Sequence, residues 1–161
     1  GIVGARLYYE DNTIQHAGVI VGFGGIAGHA FVTLNEDEGL YQSRTMVACD
    51  YSAVTAACMM VKKKVFDEVG GLEAKFRVAF NDVDFCMKVR QTGKLVVYVP
   101  QAMLYHYESK SRGLEDTPEK QNRFSQEVAL FAKRWPEILA DGDPYYNVNL
   151  ALDAADFSIR V

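Results

Sequence analysis

The segment Asn81-Asp82-Val83-Asp84, followed by Phe85-Cys86-Met87-Lys88-Val89-Arg90, places two carboxylates at the mouth of a short amphipathic helix. A helix N-terminus favours the ionised form of a carboxylate, which keeps it available as a general base. Base catalysis matters when a hydroxyl is the nucleophile, because an alcohol attacks well only while its proton is being removed. A second set lies in Tyr105-His106-Tyr107-Glu108-Ser109-Lys110-Ser111-Arg112-Gly113, just after a strand-like run. The imidazole of His106 can ligand Mn²⁺ or Mg²⁺ beside carboxylates, or hydrogen-bond a diphosphate. Ser109, Ser111 and Arg112 supply the hydroxyls and guanidinium of a phosphate-binding loop. The same letters have a plainer use. Asn81, Asp82 and Asp84 could simply cap a helix, His106 could be a strand-end histidine, and Lys110-Ser111-Arg112 could be a solvated loop. Asp82-x-Asp84 also spells a metal-binding pattern, but it opens a helix after a glycine turn instead of ending a strand, so it is not read as a metal site.

These residues need elements to hold them. Gly1 to Leu7 reads as a buried strand, residues 8–13 as a polar turn, and Ile14 to Phe23 as a second strand. Gly22 to Arg44 is rich in Gly, Asn, Asp and Glu and reads as an irregular excursion. Ala57 to Val61 is expected to be a buried strand feeding a helix from Lys63 to Val69, stopped by Gly70-Gly71. Asn81 has the form of an N-cap, and Gly93 closes that helix. Lys94 to Val99 reads as a strand covered on both faces and ended by Pro100, with Ala102 to Tyr107 a further extended piece. Thr117-Pro118-Glu119 is a helix start. Phe124, Val128, Phe131 and Trp135 then share one face of a long helix over 117–140, broken by Pro136, and 141–161 forms a C-terminal extension. Alternation of strands and helices is α/β grammar.

The chain has 161 residues, 49% of them hydrophobic, and a formal charge of -4. That suits one soluble domain and offers no broad positive surface for nucleic acid. Cys49, Cys58 and Cys86 lack C-x-x-C spacing and are expected as buried thiols in a reducing compartment. His16 and His29 are expected to be structural. No apolar run reaches the ~18 residues of a membrane span.

Taken together, Gly70-Gly71-Leu72, Asn81-Asp82-Val83-Asp84 and the segment from His106 to Arg112 resemble the second half of a family 2 glycosyltransferase of the GT-A fold. The resemblance covers nearly the whole chain. It implies an α/β fold: a partial GT-A (Rossmann-like) domain, a mixed sheet flanked by helices, without the N-terminal nucleotide-binding half. Residue by residue it makes Asp82 the base that takes the acceptor proton, with transfer from a nucleoside diphosphate sugar to a glycan hydroxyl with inversion. Gly70, Gly71, Asn81 and Asp84 fall on the acceptor side. Ser109, Ser111 and Arg112 fall on the diphosphate, and His106 near a divalent metal, Mn²⁺ or Mg²⁺, whose main motif would lie upstream. Position 81 holds Asn where the family usually has Glu. The resemblance extends to Asp143-Pro144-Tyr145-Tyr146-Asn147, whose aromatic residues either stack on carbohydrate or anchor the tail. It implies bacterial surface-polysaccharide synthesis in the cytoplasm, at or near the inner face of the membrane, with a nucleotide sugar and a glycan as partners. A chain lacking half its sheet is expected to self-associate through the bared edge. The contrasting reading is a non-catalytic carbohydrate-binding or protein-interaction module.

Overall fold

The computed structural model describes residues 1–35, 43–107 and 117–160. Ser109, Ser111 and Arg112 lie outside them. The fold is α/β, with a mixed sheet and helices around it. At its centre β1 (Ile2–Tyr8) runs parallel to β7 (Val96–Tyr105). Beyond β1 lie two short antiparallel strands, β2 (Ile14–His16) and β6 (Met59–Val61), and beyond β7 lies β5 (Cys49–Asp50). A separate two-stranded sheet pairs β3 (Val19–Val21) with β4 (Ala27–His29). The helices are α1 (Lys63–Glu68), α2 (Asn81–Gln91), α3 (Pro118–Arg134) and α4 (Pro136–Asp141).

The single strand expected over Ile14–Phe23 is two strands in two sheets. Gly18 divides them with φ +107, and a Cβ there would come within 2.5 Å of the Tyr51 ring. Only glycine can take that backbone against that ring. The break directs His16 into the core and sends β3 away to pair with β4.

Pro100 does not end its strand. The pairing runs from Ala5↔Val99 directly to Arg6↔Met103, so residues 100–102 bulge out and β7 continues to Tyr105. A bulge is where a residue without an N–H can sit inside a ladder. The expected buried strand around Met59–Met60 is instead a short strand flanking β1, with Met60 75% exposed. Cys49 and Cys58 are half-buried, whereas Cys86 is buried, and all three are free. Burial pushes the Cys86 thiol up to about 12, so it is an inert core residue.

Asn81 is the first helical residue, not the cap. Phe80 precedes α2 in a left-handed conformation, φ 61, with its ring between Phe124 and Phe131 at centroid distances of 5.7 and 5.4 Å. Aromatic packing, which the local polar pattern does not reveal, sets where this helix begins.

Thr117 caps α3 by accepting a hydrogen bond from Lys120 N–H at 3.3 Å. The expected 117–140 helix is interrupted at Trp135, φ −125 and ψ 50, where Pro136 begins α4. The tail is ordered: Phe157 stacks on Phe31 at 4.4 Å and meets Tyr146 edge-on at 4.8 Å, while Asp143 accepts from Val21 N–H at 2.8 Å. Tyr146 is thus a tail anchor. Among the described residues, no helix is long and apolar enough to cross a membrane.

Candidate functional site

A cavity of about 550 Å³ opens between the start of α2, β4, the end of β7 and α3, with Asp82 and His106 both in its wall. Asp82 is fixed by two backbone donors. Its Oδ2 accepts from Ala56 N–H at 3.0 Å and its Oδ1 from Val83 N–H at 2.9 Å. Ala56 opens a tight turn stabilised by Thr55, whose hydroxyl accepts from Ala57 N–H at 3.3 Å. The carboxylate is therefore oriented by main chain, which holds a base more firmly than flexible side chains would.

The two aspartates part company. Residues two apart on a helix face different sides, so when Asp82 meets the cavity Asp84 must enter the core. Asp84 is fully buried, and its Oδ1 accepts from Trp135 Nε1–H at 2.9 Å and is ion-paired with Arg134, whose Nε lies 2.7 Å away. Asp84 thus points into the core and does not line the cavity. Gly70 and Gly71 also lie outside the cavity wall. Both have positive φ, and their N–H groups bond Asp67 O and Phe66 O, which makes them the C-terminal cap of α1. Lys88 Nζ donates to the Gly71 carbonyl and ties that turn to α2. Asn81 is half-buried beside Asp82 without lining the cavity.

His106 continues the β7 ladder by donating its N–H to Tyr8 O at 3.0 Å. Its ring is held by Gln15, with 2.7 Å between His106 Nδ1 and Gln15 Oε1, and Gln15 Nε2 donates to the His106 carbonyl at 3.1 Å. Among the described residues no three His, Cys, Asp or Glu side chains converge as a metal centre. These residues alone do not fit a divalent ion.

Sequence reasoning missed three residues of this site. Gln15 carried no motif. His29 was expected to be structural, yet it lines the cavity, with Nδ1 2.7 Å from Gln15 O and its ring edge-on to His16 at 4.9 Å. His16 itself is a core residue, and burial holds its imidazole well below the usual histidine range and hence neutral. Glu127 is the third. Its buried carboxylate accepts from three successive N–H groups, Arg77 at 2.8 Å, Val78 at 3.0 Å and Ala79 at 2.9 Å. It thereby fastens the loop that forms the cavity wall just ahead of Asp82. A signal existed, since Glu127 lies four residues before Phe131 on the apolar face of α3, where an acid must find donors.

The chain is similar to longer proteins. It is 51% identical over 158 residues, 98% of its own length and 17% of the other's, to an uncharacterized protein, y4gI, of Sinorhizobium fredii. It is 36% identical over 161 residues to the O-antigen biosynthesis protein RfbC of Myxococcus xanthus, covering 99% of this chain and 12% of that one. Over 60 residues it is 32% identical to an N-acetylglucosaminyl-diphospho-decaprenol L-rhamnosyltransferase of Mycobacterium tuberculosis, 37% of this chain and 20% of that protein. The chain thus spans less than a fifth of the first two relatives. No protein-family model matches it.

An apolar groove of about 590 Å³ continues from the cavity, sharing His29, Phe80 and Phe124 with it. Phe124, from the apolar face of the long helix, is 45% exposed here and forms part of both walls.

Proposed function

We propose that this chain is the acceptor-side part of a family 2 glycosyltransferase that moves a sugar from a nucleoside diphosphate to a glycan hydroxyl with inversion. The observation that carries the reading is the half-buried Asp82 carboxylate, aimed by two backbone N–H groups in the wall of a cavity that also holds His106. A fixed carboxylate beside a space large enough for a sugar is what proton removal from a hydroxyl requires. The names of the Myxococcus and Mycobacterium relatives, an O-antigen biosynthesis protein and a rhamnosyltransferase, support sugar transfer in surface-polysaccharide synthesis. The donor would enter opposite Asp82, with Ser109, Ser111 and Arg112 against its diphosphate. His106 offers a divalent ion one imidazole, and other parts of the whole protein would have to complete the site. We place the enzyme in the cytoplasm, at the inner face of the membrane where acceptor glycans are built.

Incubation of the full-length protein with a panel of sugar nucleotides and glycan acceptors, followed by product analysis, tests this reading. Binding of glycan without turnover of any donor would favour the carbohydrate-binding module instead. Within the same reading, His106→Ala and Arg112→Ala should each weaken nucleoside diphosphate binding in Mn²⁺-containing buffer, and Arg112→Lys should restore it only in part, because the bidentate fork is lost. Calorimetric titration giving unchanged affinity for both alanine variants would remove them from the donor site.

Self-association is also proposed, for a reason visible in β7. Beyond its pairing with β5 at Val97 and Tyr98, no strand among the described residues pairs with that edge of β7, and Met103, Leu104 and Tyr105 there are 57%, 45% and 53% exposed. An open edge carrying apolar side chains is a template for pairing with a second copy. Light scattering should give twice the monomer mass, and a monomer at high concentration would end the idea.

A further inference from the structure

The two cavity histidines share a partner whose chemistry dictates how each is protonated. His29 Nδ1 lies 2.7 Å from the main-chain oxygen of Gln15, and His106 Nδ1 lies 2.7 Å from the side-chain oxygen of the same residue. A carbonyl oxygen can only accept, so at each contact Nδ1 must carry the hydrogen. The orientation of the Gln15 amide is not arbitrary. With Oε1 toward His106 Nδ1, its NH₂ faces the His106 carbonyl at 3.1 Å, whereas the flipped amide would set oxygen against oxygen there. Gln15 itself is 2% exposed, so its amide is largely shielded from bulk water. Packing fixes His29 further, since its ring meets that of fully buried His16 edge-on. His16 is oriented in its turn by Thr55 N–H, 3.4 Å from its Nε2, in the same turn that positions Ala56 against Asp82.

We infer that Gln15 is a positioning residue that holds His29 and His106 as the same Nδ1–H tautomer, so that both offer an Nε2 lone pair to the cavity beside Asp82. The wall is then rich in acceptors. A neutral Nε2 lone pair repels a bare phosphate oxygen and takes a hydroxyl hydrogen or a cation. The assignment of His29 to acceptor hydroxyls rests on the glycosyltransferase reading. His29 would hold a sugar hydroxyl in ground state and transition state alike, which lowers KM with little effect on kcat.

The test separates the two claims. In the protein labelled with ¹⁵N-histidine, long-range ¹H–¹⁵N spectra recorded at about pH 8 distinguish Nδ1–H from Nε2–H rings. His29 and His106, assigned by their loss in His29→Phe and His106→Ala, should both show the Nδ1–H pattern. Gln15→Leu removes the partner of His106 but keeps the carbonyl that holds His29. It should therefore convert His106 to a mixture or to Nε2–H while His29 stays unchanged. An Nε2–H pattern for either ring in the unaltered protein overturns the inference even if Gln15→Leu fails to fold, and so does an unchanged His106 in that variant. For the second claim, His29→Phe in the full-length enzyme should raise the acceptor KM about tenfold, as expected for one neutral hydrogen bond, with kcat within about threefold. A fall in kcat at unchanged KM would refute it. Absence of sugar transfer by the unaltered protein would instead strike the proposed function and leave the tautomer result standing.

Discussion

Asp82→Asn in the full-length protein should lower kcat by about 10² or more while sugar-nucleotide affinity changes little. The carboxamide has nearly the shape of the carboxylate but cannot accept a hydroxyl proton. Its geometry is also disturbed, because both oxygens of Asp82 accept from main-chain N–H groups, and an amide NH₂ must oppose one of them. The variant should therefore be followed by calorimetry and thermal unfolding together with rates. Loss of turnover with intact donor binding and a small shift in Tm supports the base. Near-normal turnover removes Asp82 from the mechanism.

The second large effect belongs to stability. Asp84→Ala should destabilise the protein by about 3 kcal/mol, at the lower end of what breaking a buried charged network costs. The Trp135 indole N–H would lose its acceptor and Arg134 its shorter carboxylate contact, while Arg134 keeps Glu73 at 3.2 Å and reaches solvent, which moderates the loss. Trp135→Phe should cost about 1–3 kcal/mol, chiefly from leaving a buried acceptor with fewer donors. Urea unfolding of both variants measures this. A loss below about 1 kcal/mol for Asp84→Ala would mean that the network is dispensable. Paired with the first prediction, it separates two carboxylates that are two residues apart: changing the first should alter rate far more than stability, and changing the second should alter stability first.

Much of the scaffold was legible because it is local. The start of α3 followed from Thr117-Pro118, the end of α1 from the glycines after it, and β1 from its near-continuous apolar run. The places where local reasoning missed are those where a distant side chain intervened. Tyr51 beneath Gly18 split the second strand, Phe124 and Phe131 moved the cap of α2 from Asn81 back to Phe80, and the ladder offered by β1 carried β7 past Pro100.

The candidate site divides in the same way. The sequence by itself determined that Asp82 stands at a helix mouth and that His106 follows a strand, since capping residues, apolar periodicity and glycine stops are short-range effects of backbone sterics and hydrogen bonding. The helical repeat, which turns residues two apart to different sides, was overlooked when Asp82 and Asp84 were both assigned to the acceptor. Which of the two meets the cavity depends on where Trp135 and Arg134 lie, some fifty residues away along the chain, and so emerges only on folding. Only the tertiary structure joined Gln15 to His106 across 91 positions, and Glu127 to the loop before Asp82 across about fifty. A buried polar group must find its partner wherever the fold supplies one, and that requirement acts in space, without regard to separation along the chain.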